Sequence, residues 1–197
     1  KPSIYAKVLK SGKANWDIAK PDSSATPSTE PTTFKAALKK YSINEGKVVY
    51  DDASLGFYMA LENLNHSGKG DFTQDNFILD TESDIEKLTV KYGGIPYLNK
   101  VNLAAKLPIE IDMKQMKFTL KENEIKLNEL VLSLVGSLGM PNDTDMAIDF
   151  KFDAKKSDLK NFLSLIPAIY ASNFKDLQAS GKFAMDGSAK GIYNEKS

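Results

Sequence analysis

Between Lys100 and Met113 the chain alternates with a period of two. Val101, Leu103, Ala105, Leu107, Ile109, Ile111 and Met113 share one phase, and Lys100, Asn102, Lys106, Glu110 and Asp112 share the other. Side chains of a strand point alternately to its two faces, so this stretch predicts one long strand with an oily side and a wet side. Pro108 falls on the wet phase and has no amide hydrogen, which places the strand at an edge or a bulge.

The same period recurs through most of the chain. Residues 4–18 read as two strands about a Ser11-Gly12 turn, with Trp16 and Ile18 as apolar anchors. Residues 41–52 read as a hairpin turning at Asn44-Glu45-Gly46, and 55–64 place Leu55, Phe57, Met59 and Leu61 on one side. His66 to Asp71 reads as a glycine-punctuated break, and 76–92 as two short strands, the second carrying Leu88, Val90 and Tyr92 on one face. Residues 115–136 suggest a hairpin around Glu122-Asn123 whose second arm runs into another apolar strand. After turn chemistry at 139–144, Met146, Ile148, Phe150 and Phe152 alternate again. Only 157–174 departs from period two: Leu159, Phe162, Leu163, Ile166 and Tyr170 lie at helical spacing behind a Ser157 cap, and Pro167 should kink or end the helix. A final strand is expected over 177–193.

These elements predict a mainly β fold: a long, twisted, curved antiparallel sheet, groove-like or sandwich-like, with one helix near the carboxyl end. Three regions are expected. Residues 1–19 form a β segment, 20–35 a Ser/Thr/Pro-rich linker or loop with no apolar period, and 36–197 a β-rich domain with its helix at about 157–171. The chain opens on Lys1-Pro2 and enters strand-like sequence at once, which reads as a piece of something longer.

Composition narrows the function. Acidic residues number 26 and basic residues 26, every one of the latter a lysine. Without arginine forks or net positive charge, a nucleic-acid partner is not expected. The absence of cysteine excludes disulfides and thiolate chemistry. No run of about eighteen apolar residues is long enough to span a bilayer as a helix. His66 is the sole histidine, so any Ser-His or His-metal chemistry passes through it, and its setting, LNHSGKGD, reads as a turn. Asp51 and Asp52 are adjacent on a strand and face opposite ways, so they do not converge as a catalytic pair. Asp143 and Asp145 lack the rest of a calcium loop. No catalytic constellation emerges, and no enzyme activity, cofactor or metal is expected.

Several stretches together resemble the AsmA family of bacterial envelope proteins. SGKANWDIAKP followed by a Ser/Thr/Pro linker is similar to the family's amino-terminal region, and KKYSINEGKVVYDD to the strand pair that follows there. LENLNHSGKGDFTQDNFILDTES and GGIPYLNKV look like versions found in Bacteroides-like lineages, and the likeness covers most of residues 8–136. It implies a parent protein anchored in the inner membrane, with a periplasmic β-structure linked to outer-membrane biogenesis. Grouped with TamB-like bridge proteins, such a chain would bind phospholipid acyl chains, or conduct them along an apolar β-groove between membranes. It would also have outer-membrane assembly proteins as possible partners. The candidate groove residues are Val101, Leu103, Leu107, Ile109, Ile111, Met113, Phe118, Leu120, Ile148 and Phe150. The alternative is a structural or regulatory module acting through protein contacts, whose alternating faces close into a solid core.

Overall fold

A computed structural model describes residues 1–18, 38–142, 144–163, 165 and 180–194. It holds β1 (Ser3–Val8), β2 (Lys40–Asp52), β3 (Phe57–Lys69), β4 (Asn76–Tyr92), β5 (Ile95–Asp112), β6 (Lys117–Leu120), β7 (Glu124–Leu127), β8 (Leu130–Gly139), β9 (Asp145–Asp158), the short helix α1 (Leu159–Leu163) and β10 (Lys182–Asn194). The ten strands form one sheet in the order β1-β2-β3-β4-β5-β6-β8-β9-β10, with β7 also lying between β5 and β8. β1 runs parallel to β2, and every other pairing is antiparallel. β1 thus joins the amino-terminal segment to the same sheet as the rest of the chain.

Four of these strands are long because the breaks in their alternation are bulges. In β2 the inner phase is Tyr41 and Ile43, then Gly46, Val48 and Tyr50; in β3 it is Phe57, Met59 and Leu61, then Leu64 and His66. In β4 it is Phe77 to Ile85, then Leu88 and Val90, and β5 switches between Leu98 and Val101. At each switch the register slips or the backbone turns left-handed, with φ of 51° at Glu45, 54° at Asn63 and 54° at Lys100. A bulge bends its strand and returns apolar residues to the same face. The four switches lie side by side. Asn63 Nδ2 donates to Glu86 across the β3–β4 pair, Glu45 N donates to Asn65 Oδ1, and Asn102 Nδ2 donates to the Glu86 carbonyl. The line continues to the β7–β8 turn, where Asn128, at φ 49°, accepts from Asn102 N through Oδ1. The sheet therefore bends along a crease that crosses the strands, and β-structure on either side forms a wall.

This corrects three sequence expectations. The hairpin at Asn44-Glu45-Gly46 is one continuous strand with a bulge, and 76–92 is one strand of 17 residues. Glu122-Asn123 is no hairpin turn either. β6 and β7 pair with the same two strands, end to end, and the chain reverses only at Asn128-Glu129. Pro108 supplies the reason. It sits inside the sheet opposite this interruption, offering a carbonyl to Lys121 N but no amide in return. Asn123 fills the gap: its Nδ2 donates to the carbonyls of Lys121 and Leu134, and its Oδ1 accepts from Leu134 N. Asn123→Ala should lower stability by roughly 1–3 kcal/mol, the range for orphaned backbone groups, with β6 and β7 losing amide-exchange protection first.

At the carboxyl end, Ser157 and Asp158 belong to β9 rather than capping a helix, although Ser157 Oγ accepts from Asn161 Nδ2. The expected linker over 20–35, the helix beyond Leu165 including Pro167, and the start of the last strand at 177–179 lie outside the described residues.

Candidate apolar groove

Residues paired across neighbouring strands share a face, so the register traces one continuous apolar surface. Phe77, Leu79 and Ile85 of β4 meet Ile111, Ile109 and Leu103 of β5. These meet Phe118, Leu120 and Leu127 on β6 and β7, and Leu138, Leu132 and Leu130 of β8 follow. Phe152, Phe150 and Ile148 of β9 extend the surface to Gly187, Ala189 and Gly191 of β10. From β4 to β10 this surface crosses six strand positions, and five spacings of about 4.8 Å give roughly 24 Å.

Among the described residues no second sheet is opposed to it, and at its β10 end Phe162 of α1 packs on Phe183 at a ring separation of 4.7 Å. The extensive contacts between strands are all between sheet neighbours, and α1 packs at β9 and β10. Several of the most enclosed side chains follow the crease: Val101 and Leu130 are each 4% exposed, and Leu64, Ile85 and Leu88 are also buried. Leu64, Ile85 and Leu88 form a cluster with Ile43 and Leu103 from one wall and Val48, Met59, Leu61, Val90 and Leu98 from the other. Gly46 makes this possible, since a Cβ there would stand 2.6 Å from the Ile43 side chain. Away from the crease Leu103, Leu107, Ile109, Phe118, Leu120, Ile148 and Phe150 remain half-buried. The result is a trough with a dry floor and partly wet walls, its axis crossing the strands.

Of the residues expected to line a groove, Val101 lies on the floor. Leu103, Leu107, Ile109, Ile111, Phe118 and Leu120 stand on the long wall, and Ile148 and Phe150 continue it on β9. Met113 opens the turn beyond β5, half exposed at the rim. Sequence reasoning missed the short wall and much of the floor as lining, notably Val48, Met59, Leu61, Leu64 and Ile85. Their alternation was visible, but their sidedness relative to β5 depends on the bulges.

Polar groups interrupt the trough at both ends of β3. His66 is not in a turn: it sits within β3 on the inner face, half-buried. Its Nε2 is 3.1 Å from Tyr41 Oη and its Nδ1 is 2.8 Å from Ser83 Oγ, both on adjacent strands. The Tyr41 ring lies over Gly68, where any Cβ would collide with it, and Phe72 packs on Phe77 beside it. Burial pushes the His66 imidazole below its ordinary range. A histidine held neutral in the folded state binds fewer protons than in the unfolded chain, so stability should fall as pH drops through the unfolded value of about 6.5. His66→Gln should flatten that slope in thermal melts between pH 7 and pH 5.

At the opposite end Asp52, 4% exposed, is ringed by donors. The Ser54 hydroxyl, the Leu55 amide, the Tyr50 hydroxyl and the Ser54 amide all donate to it, which holds its carboxyl below the usual carboxylate range. That stabilisation is present above the unfolded value near 4 and is lost as pH falls through the lower folded value. Asp51 faces the other way, toward Tyr5 Oη at 2.9 Å, so the two carboxylates diverge. Trp16, expected as a core anchor, is 50% exposed and stacks on Tyr50 at a ring separation of 6.3 Å. Ile18 is also exposed, and Leu55 lies in the exposed β2–β3 turn.

At the rim a cavity of about 660 Å³ is lined by Lys117, Asp149 and Lys190 together with Met140, Ile148 and Ile192. Lys190 is paired with Asp149 at 2.7 Å and Lys114 with Asp75 at 2.9 Å, so the basic groups there are largely offset. No family model, curated protein or solved structure matches the chain.

Proposed function

We propose that this protein is a non-enzymatic lipid-binding element of the bacterial envelope, holding phospholipid acyl chains in the trough or passing them along it. The observation that carries this reading is an apolar face running across one sheet, with no second sheet opposed to it among the described residues. A partly open apolar face of that extent marks a binding surface. Each methylene moved from water into the trough contributes ~0.8 kcal/mol, without requiring a fixed polar contact. A lining that is aliphatic along most of its length suits a chain that slides.

The resemblance of most of residues 8–136 to AsmA proteins supports this reading: such an element would sit in the periplasm of a Gram-negative bacterium, in a parent anchored in the inner membrane and engaged in outer-membrane biogenesis. The test is mass spectrometry of organic extracts from the purified protein. Acyl lipids should be recovered in near-stoichiometric amounts after gel filtration. A preparation free of lipid, which also fails to take up a fluorescent fatty acid, would overturn the reading. It would favour a module that covers the same face with a protein partner.

A further inference from the structure

The two edges of the sheet are built differently. Along the carboxyl-terminal half of β1 outer backbone groups are occupied: Asn15 Oδ1 accepts from Lys7 N, its Nδ2 donates to the Tyr5 carbonyl, and Asn15 N donates to the Lys7 carbonyl. Asn15 thus blocks that part of the edge to another strand. The outer edge of β10 has thirteen residues and no strand partner among the described residues. It carries no proline, and its middle is Gly187, Ser188, Ala189, Lys190 and Gly191, small apart from one lysine. An uncovered edge of this length is a template for strand addition.

The charges along β10 choose the occupant. Asp186 is exposed and stands directly opposite Asp153 of β9, a like-charge pair that disfavours its own sheet. No cation pairs with Asp186 among the described residues. Placed antiparallel to itself about Ser188, β10 sets Asp186 opposite Lys190 twice and Phe183 opposite Tyr193 twice. Met185 then meets Gly191 and Gly187 meets Ala189, so no two large side chains collide near the axis. In that register the inner phase stays on one side. Tyr193, Gly191 and Ala189 already lie on the apolar face through their pairing with Met146, Ile148 and Phe150. The trough of one copy would then run on into that of the other.

We infer that the free edge of β10 binds a second copy of this chain, β10 to β10, in a twofold antiparallel pair centred on Ser188. This surface is separate from lipid binding, and the two can fail independently. The absence of native cysteine makes the test clean. A Ser188→Cys variant places its thiol opposite itself, and opposed strand residues lie within disulfide reach. It should form a disulfide dimer under mild oxidation, while Lys182→Cys, which faces Asn194 in the same register, should not. Native mass spectrometry should find wild-type dimers at micromolar concentration. Asp186→Lys, which sets lysine against Lys190 at both positions, should weaken them roughly tenfold with circular dichroism unchanged. A monomeric wild type, equal crosslinking of the two cysteine variants, or a dimer indifferent to Asp186→Lys would each overturn the inference. An edge occupied by another protein's strand would show as the first of these.

Discussion

Aspartate in place of Leu107 should leave the sheet folded and strip it of lipid. Leu107 stands on the long wall, half-buried, opposite Thr81, whose hydroxyl donates to the Leu107 carbonyl at 2.9 Å. A carboxylate there keeps water on one side, so the folded state tolerates it. An acyl chain lying against it loses its neighbours. Forfeiting contact with two methylenes costs roughly 1.6 kcal/mol, which lowers lipid occupancy on the order of tenfold. Val101→Asp is the contrasting variant. At 4% exposure on the floor of the crease, opposite Leu88, its carboxylate would be buried, and the domain should unfold. Lipid extraction and circular dichroism on both variants separate the effects. A folded Leu107→Asp protein that still carries lipid at the wild-type level removes the trough from the proposed function.

Gly136→Ala should be among the most destabilising of single-methyl additions to this chain. Gly136 lies on the inner phase of β8 with φ of 138°, a region that L side chains rarely adopt. A Cβ there would overlap the carbonyl oxygen of Asp149 and the Cα of Phe150 on β9. Those are backbone atoms, so relief requires β8 and β9 to move apart. The expected cost is about 2–4 kcal/mol, seen as a lower urea midpoint. Gly139→Ala is the control: it lies in the same strand with open space around it, and its effect should stay within about 0.5 kcal/mol. Comparable midpoints for the two variants would mean that Gly136 does not press against the β9 backbone.

Much of the fold was legible because alternation is a local signal. The run from Val101 to Ile111 and the run from Met146 to Phe152 keep one phase because each lies on a single wall. Where a strand crosses the crease its phase slips by one, and the sequence around Asn44-Glu45-Gly46 then looks the same whether the chain reverses or bulges. The choice is made by neighbours far away in sequence, such as Asn65 receiving the Glu45 amide. The same holds for Glu122-Asn123, where the interruption answers Pro108 fifteen residues earlier. His66 was misplaced for a related reason. Glycines beside it suggest a turn, yet Gly68 is there to receive the Tyr41 ring.

By itself the sequence determined that the chain would be made of ribbons with one apolar flank, without thiol chemistry and with charges in balance, since these depend only on which residues occur and at what spacing. It left open whether the apolar flanks would meet an opposing layer. Only the tertiary structure decided that, among the described residues, they share one sheet with no second sheet opposed to it, and it aligned the bulges of β2, β3, β4 and β5 into one crease. Bulges are set by inter-strand hydrogen bonding, and a single strand cannot register where its neighbours bend.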